Sequence, residues 1–269
     1  MIRHCPSCGS IDQTELIGKF PVTSAEKFSR EQWDLVVCPC SMIYLSPLPT
    51  TQDFEVMYSR GKQFDSPEYS DPIKVSAIVE FMTGRLQYLI SSHSLNIESL
   101  RVLEVGAGYA WMCRAAKEMD SRVLTVAQDV TTEVSDKCPW VDFYKVGDLD
   151  FTLMQDIGTF EIISITHVLE HISNPVPFLT KLAQLLSPAG VIFITMPHKP
   201  VNQHGGRDAW LEYSYHHVPA HLNYYSKDAL SRTASLSGLR LIYWDATSEG
   251  GAALEAHLCL DANQSLEDQ

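Results

Sequence analysis

From Arg101 onward the sequence alternates, and this alternation restricts the fold more than any other feature. Short apolar runs fall at Val102–Val105, Arg122–Ala127, Phe143–Val146, Glu161–Thr166 and Val191–Met196. Helix-competent stretches at Ala110–Met119 and Pro177–Leu186 stand between them, and Leu254–Leu260 reads as a seventh strand. Strands separated by helices imply a parallel sheet with both faces covered. In such sheets ligands lie beyond the carboxyl ends of the strands, near the switch point. Glu104, Gln128, Asp129, Asp148 and His167 all fall at those ends, so one common pocket is expected.

The first strand of the series runs into Glu104-Val105-Gly106-Ala107-Gly108 and then into an apolar helix. Glycines let a backbone take positive φ and approach a ligand closely. The amides at the start of the next helix have no intrahelical partner and face the crevice. A carboxylate there, Glu104, suits a hydroxyl or an ammonium rather than a phosphate. Many strand-to-helix turns carry such a glycine pair, so the motif alone does not name the ligand.

A chain of 269 residues can bury a full α/β core with a small appendage. Its net charge of −13 and the lack of any Lys/Arg run argue against nucleic acid as the main partner. No apolar stretch approaches the roughly 20 residues of a membrane span. The N-terminus, MIRHCPSCGS, lacks the apolar region of a signal peptide, so a cytoplasmic location is expected, with no membrane partner.

Four of the seven cysteines lie in the first forty residues as two close pairs, Cys5/Cys8 and Cys38/Cys40. An odd count in such a chain does not read as a disulfide framework. Two thiolates two residues apart, followed by Gly9, can hold one edge of a tetrahedral ion, and Cys38-Pro39-Cys40 can supply the other. Between them lie strand-like pieces, Glu15–Ile17 and Leu35–Val37. This is the layout of a zinc ribbon, whose four thiolates leave no open position and make the site structural. The head has few apolar residues, so metal binding is expected to supply much of its stability. The second pair has one intervening residue where ribbons usually have two. Either both Cys38 and Cys40 ligate, or His4 substitutes. The bland alternative is free thiols in a short arm.

A proline-rich connector, Tyr44–Thr50, leads to a short helix at Asp53–Tyr58 capped by Thr50 or Thr51. Residues 59–71 read as a loop, and Pro72 opens a helix to about His93 with apolar residues at helical spacing.

Taken together, Glu104–Ala110, the run Ile162–His171 and the later Leu185-Leu186-Ser187-Pro188-Ala189-Gly190 segment resemble the class I S-adenosylmethionine (SAM) dependent methyltransferases. Ser226–Leu230 through Ser237-Gly238-Leu239 is similar to the helix and glycine turn before that family's sixth strand. An N-terminal cysteine-pair head recurs in a subset that includes sugar C-methyltransferases. The resemblance implies a Rossmann-like seven-stranded α/β methyltransferase sheet with helices on both faces, plus a small N-terminal zinc-ribbon-like subdomain. It implies SAM as cofactor and structural zinc on Cys5, Cys8, Cys38 and Cys40. Glu104 with Gly106, Ala107 and Gly108 would hold the methionine end, Asp148 the adenine amino group with Leu149 beside the ring, and His167 would flank the methionine portion. An acid would take the ribose hydroxyls. The usual position offers Ala127 and Gln128, and the nearest acid is Asp129, so the ribose falls to Gln128 or Asp129. The family's third glycine is Ala110.

Methyl transfer from a sulfonium is an in-line displacement that needs a base only where the nucleophile must lose a proton. The segment His198–Tyr225 lies where this fold places acceptor-binding elements, and it is rich in histidine and tyrosine, among them His204, Tyr213, Tyr215, His216 and His217. Ala220-His221-Leu222-Asn223-Tyr224 resembles a sugar C-methyltransferase phrase whose histidine takes a proton, which makes His221 the expected base. Ala220 replaces the acid of that phrase. The chain also stops soon after Leu260, without those enzymes' C-terminal domain, so O- or N-methylation is expected at least as much as C-methylation. His171 either orients substrate or caps a local turn. His216 and His217 are adjacent and would point to opposite faces of an extended segment, so at most one is catalytic. The expected organisation is a head at 1–50, a connector at 51–100 and a SAM-binding domain at 101–269 with an acceptor-side insertion at about 197–225. The acceptor is expected to be a small molecule, such as a nucleotide-linked sugar or glycan precursor. The other readings are an RNA methyltransferase and a degenerate, non-catalytic binding module.

Overall fold

The computed structural model describes residues 3–11, 14–22, 27–58, 67–131, 134–197, 208, 212, 216–246 and 253–262. His198, His204, Tyr213, Tyr215 and most of the acceptor-side insertion lie outside the described residues. The described chain divides into two compact units. One comprises 1–59, 167–180 and 194–269; the other comprises 60–166 and 181–193. No helix of the described residues is long and apolar enough to cross a membrane.

The larger sheet has seven strands. They are β4 (Arg101–Val105), β5 (Leu124–Asp129), β6 (Phe143–Val146), β7 (Phe160–Thr166), β8 (Leu186–Met196), β10 (Leu239–Asp245) and β11 (Leu254–Leu260), in the order β10-β11-β8-β7-β4-β5-β6. β4 pairs in parallel with both β5 and β7, and β5 in parallel with β6. β10 and β11 are antiparallel, so the sheet is mixed where the alternation alone implies a parallel one. The parallel strands read as continuous apolar runs because both faces are covered. Val102, Leu103, Val126, Ala127, Ile162, Ile163 and Ile165 are buried with nothing exposed.

Helices α2 (Pro72–Ser92), α3 (Trp111–Met119) and α5 (Pro175–Leu185) occupy the expected stretches, preceded by α1 (Thr51–Tyr58), while α4 (Phe151–Ile157) is a helix the sequence reading did not expect. Of the two candidate caps for α1, Thr50 is the one used. Its hydroxyl accepts the Asp53 N–H at 3.2 Å, while the Asp53 carboxylate accepts the Thr50 N–H at 2.8 Å. This reciprocal pairing is a capping box. Asp71 caps α2 by accepting the Ile73 N–H, and proline stands at the first turn. α6 (Lys227–Leu236) is capped by Ser226.

The second sheet, in the unit that carries the N-terminus, has the order β1 (Glu15–Pro21), β2 (Gln32–Val37), β3 (Ile43–Ser46) and β9 (Asn223–Tyr224). Two features of it differ from the sequence expectation. The start of the proline-rich connector is a buried strand, β3. The head's sheet is also completed by β9, from far along the chain: Ile43 pairs with Tyr224 and Tyr44 with Asn223. The apolar cluster of Trp33, Leu35, Ile43 and Leu45 closes over Val218, Leu222 and Tyr224. The head therefore takes apolar burial from residues 218–224 as well as whatever a metal supplies.

Candidate functional site: the strand ends and the histidine cluster

β4 delivers Glu104 to a loop in which every second residue is left-handed: Gly106 at φ 63°, Gly108 at 48° and Ala110 at 52°. Gly106 is exposed while Ala107 and Gly108 are buried. The loop is tied to its neighbour strand by Ala107 N–H donating to the Gln128 carbonyl at 2.9 Å. Ala110, at the family's third glycine, takes the glycine conformation and forms the N-cap of α3 without any side-chain cap. An alanine cannot cap a helix. The Glu104 carboxylate does so instead, accepting the Cys113 N–H at 3.1 Å. A carboxylate at the positive end of a helix is stabilised by the aligned peptide dipoles. Burial nonetheless dominates and pushes the Glu104 carboxyl up to about 7, against the pull of the Cys113 and Met112 amides.

Asp129 ends β5. Its Oδ2 accepts the Gly108 N–H at 2.8 Å, and its Oδ1 accepts the N–H and hydroxyl of Thr131. Gln128 is buried, and its amide donates to the Gly147 carbonyl at 2.5 Å. The two ribose candidates thus differ: Asp129 is joined to the glycine loop itself, Gln128 to the turn after β6. Gly147, at φ 99°, leads to Asp148, which is exposed, and to half-buried Leu149. Glu104, Gly106, Ala107, Gly108, Gln128, Asp129, Asp148 and Leu149 all belong to the 60–166 unit.

Sequence reasoning missed the aromatic frame around this loop. The Trp140 indole N–H donates to the Tyr109 and Ala110 carbonyls, and the Tyr144 hydroxyl donates to the Gly108 carbonyl at 2.6 Å. Tyr109 stacks on Trp111, Trp111 on Trp140, and the Arg114 guanidinium lies over Trp140. The signal was in the sequence as tryptophans at 111 and 140, but nothing local joins them.

These residues fit SAM. An open glycine turn lies beside a helix start that lacks a cap from its own residue. Acids stand at three adjacent strand ends. The sulfonium cofactor would supply an electrophilic methyl group, and these carboxylates and backbone amides are the groups that would hold it.

His167, the remaining expected cofactor contact, falls in the other unit and belongs to a histidine cluster there. It has φ 54°, and its N–H donates to the Thr195 carbonyl. Its Nδ1 lies 3.7 Å from Glu170 Oε1. Glu170 and His171 sit in the 3-10 turn Leu169–His171. The His171 ring is 4.9 Å from that of His221, and the His221 ring is 5.2 Å from that of His217. The two expected catalytic histidines are therefore together. The His171 Nδ1 bonds the Ala220 carbonyl at 2.9 Å, a partner 49 residues along the chain. His216 is a core histidine, packed between Phe20 and Tyr224. Of the adjacent pair, only His217 faces the cluster.

In the head, Cys5 Sγ lies 3.6 Å from Cys40 Sγ, and Cys8 Sγ lies 3.5 Å from Cys38 Sγ. Four thiolates at about 2.3 Å from one tetrahedral zinc stand about 3.8 Å apart, so the sulfurs fit that ion. The single-residue spacing of the second pair is accommodated by Ser41, at φ 68°, matching Gly9 at 75° after the first pair. His4 instead bonds the Gly9 carbonyl. Arg3 is a further residue that sequence reasoning missed. It is buried, and its guanidinium donates to the Leu222 carbonyl at 3.1 Å, the Ser173 carbonyl at 2.7 Å and Asn223 Oδ1 at 3.0 Å.

Residues 78–243 match a family model described as a methyltransferase domain. The chain belongs to that family, and its fold is that of the class I SAM-dependent methyltransferases. The ubiquinone biosynthesis O-methyltransferase of Rhodopseudomonas palustris (strain TIE-1) is 22% identical over 127 residues, 46% of this chain and 50% of the relative. The protein of the same name from Maricaulis maris (strain MCS10) is 26% identical over 101 residues, 35% of this chain and 39% of the relative. The chain spans half or less of the length of these two curated relatives. Among solved structures, magnesium protoporphyrin IX methyltransferase from Synechocystis PCC 6803 with bound SAH has a TM-score of 0.55 at 12% identity, over 78% of this chain and 100% of that one. A methyltransferase in complex with the Haloferax volcanii Trm112 methyltransferase activator has a TM-score of 0.52 at 13% identity, over 73% of this chain and 97% of that one.

Proposed function

We propose that this chain transfers the methyl group of SAM to an oxygen or nitrogen of a small-molecule acceptor. The observation that carries this reading is the left-handed glycine loop after β4, flanked by Glu104 and by Asp129, whose carboxylate holds the Gly108 amide. In this reading Glu104 with residues 106–108 holds the methionine end. Asp129 takes the ribose with its remaining lone pairs, Gln128 braces the turn, and Asp148 with Leu149 takes the adenine. His167 serves the methionine portion. His171 and His221 take the acceptor's proton.

Ala110 and the displaced acid favour a degenerate fold only if they spoil the loop. Ala110 keeps the left-handed conformation and Asp129 stays on the loop, which supports the catalytic reading. The net charge of −13 weighs against RNA as acceptor. The name of the curated relatives supports O-methylation. The cysteine head supports a nucleotide-linked sugar or glycan precursor as the acceptor class to try first. Zinc on Cys5, Cys8, Cys38 and Cys40 is part of the proposal, as is the division into a 1–50 head, a 51–100 connector and a 101–269 catalytic domain. Thiolates that must remain reduced fit the cytoplasm.

Calorimetry with SAM and with SAH tests the central claim. Stoichiometric binding of both is expected. No heat and no thermal shift with either would sink the enzyme reading. An acceptor screen with sugar nucleotides and phenols then follows transfer of labelled methyl, with His221→Ala expected to slow turnover and leave SAM affinity unchanged.

A further inference from the structure

Glu170 is fully buried, and neither carboxylate oxygen accepts a hydrogen bond among the described residues. A buried carboxylate without hydrogen bonds costs several kcal/mol, and proteins offset that with a cation or a metal. Two ring nitrogens approach its Oε1, His167 Nδ1 at 3.7 Å and His171 Nε2 at 3.9 Å, too long for hydrogen bonds.

The state of His171 follows from its other contact. Its Nδ1 meets the Ala220 carbonyl at 2.9 Å, and a carbonyl only accepts, so Nδ1 carries the proton. In the neutral ring Nε2 is then a lone-pair donor, and Nε2 is the atom on the Glu170 side. An imidazole oriented by a backbone carbonyl at one nitrogen and open at the other is the usual arrangement of a metal-ligating histidine. His221, 5% exposed, completes the set. One ligand atom each from Glu170, His171 and His221 lie within 4.8 Å of one another. Two ligands at about 2.1 Å from one ion stand up to about 4.2 Å apart, so small side-chain rotations close the shell.

The backbone holds these ligands in place before any ion arrives. Leu222 N–H donates to the Glu170 carbonyl at 2.8 Å, and His221 N–H to the His217 carbonyl at 3.0 Å. Arg3 ties the Leu222 and Ser173 carbonyls to each other. The two ligand-bearing segments are therefore locked across some fifty residues of sequence.

We propose that Glu170, His171 and His221 bind a divalent first-row metal ion, a second metal site distinct from the four-cysteine head. Two imidazoles and one carboxylate suit manganese, iron(II), cobalt or zinc, and three protein ligands leave positions open, unlike four thiolates. Binding itself is independent of the methyltransferase reading. The role of the ion rests on that reading: an acceptor hydroxyl at an open position loses its proton to solvent more readily. Its oxygen then forms the O–CH3 bond as the CH3–S bond breaks, and the bonding pair stays on sulfur as a neutral thioether. His171 and His221 act as ligands in that case rather than as bases.

The test uses Mn2+, which thiolates bind poorly, on the full chain with its head loaded with zinc. Electron paramagnetic resonance follows the loss of the free Mn2+ signal, and calorimetry follows SAM in the same samples. One Mn2+ per chain is expected. The isosteric Glu170→Gln and the separate His221→Asn should each weaken it at least about tenfold, while SAM affinity is unchanged. No stoichiometric Mn2+, or Mn2+ binding equal in wild type and Glu170→Gln, overturns the site. SAM binding without Mn2+ removes the metal and leaves the proposed function; Mn2+ binding without SAM does the reverse.

Discussion

Ala110 holds a left-handed backbone that its Cβ opposes, because the loop needs three such residues in alternation. Relieving a left-handed alanine should gain roughly 1 kcal/mol. Ala110→Gly is thus expected to raise the thermal midpoint by about 2 °C or more. A fall in the midpoint would mean that the alanine methyl packs better than its strain suggests. Glu104 makes a different prediction, one of pH. Its carboxyl is raised to about 7 in the folded protein. A raised acid binds its proton more tightly folded than unfolded, so its contribution to stability is present below the ordinary carboxylate range and is lost as pH rises through about 7. SAM binding runs the other way, since the cofactor's ammonium selects the carboxylate. Affinity should rise about tenfold between pH 5.5 and 7, and Glu104→Gln should flatten that slope. A wild-type slope that persists in the variant would remove Glu104 from the cofactor contact. Neither effect was legible in the residue letters. Sequence shows an alanine where glycine is usual, but the sign of φ and the burial of an acid belong to the fold.

At the scale of elements, the lesson is in β9. Two residues carry no periodicity, so no pattern announces Asn223–Tyr224 as a strand. Its pairing with β3 is enforced from outside by the Trp33 cluster and by Arg3. The Arg3 guanidinium spans four acceptors on three segments, the Leu45 carbonyl of β3 among them, and burial lowers its pKa to about 10 without removing its charge at neutral pH. Arg3→Met would strand those acceptors in the interior. A loss of about 3 kcal/mol is expected, because each buried group left without a partner costs roughly 1–3 kcal/mol. The Leu222 and Asn223 amides should also exchange with solvent faster. Unchanged exchange at these two amides would show that β9 is held by its apolar contacts alone. By contrast, β4 to β8 and helices α2, α3 and α5 were legible, because each writes its own period of apolar residues, whereas the two-turn α4 was not. The errors there were of one or two residues at the ends, and five residues at the start of β8.

For the whole molecule, the two kinds of proposed site predict separable behaviour. Stripping the head with a strong chelator should release one zinc per chain and lower the thermal midpoint, since the four sulfurs of a structural site are close only when folded. SAM binding, for which the proposal draws mainly on residues of the 60–166 unit, should survive. Loss of SAM affinity on zinc removal would show that the two units do not act separately. By itself the sequence determined the α/β class, the glycine turn, the strand-end acids and the two cysteine pairs. Each is a local matter: the spacing of apolar side chains, the freedom of glycine at positive φ, thiols a few residues apart. The tertiary structure alone decided which acid meets the glycine loop and that Glu104 caps α3. It alone joined a two-residue strand and a buried arginine to the head, and brought Glu170, His171 and His221 together. Those contacts join residues far apart in the chain. Their free energy comes from burial and from hydrogen bonds made only once the core has closed, and no short stretch of sequence carries a record of them.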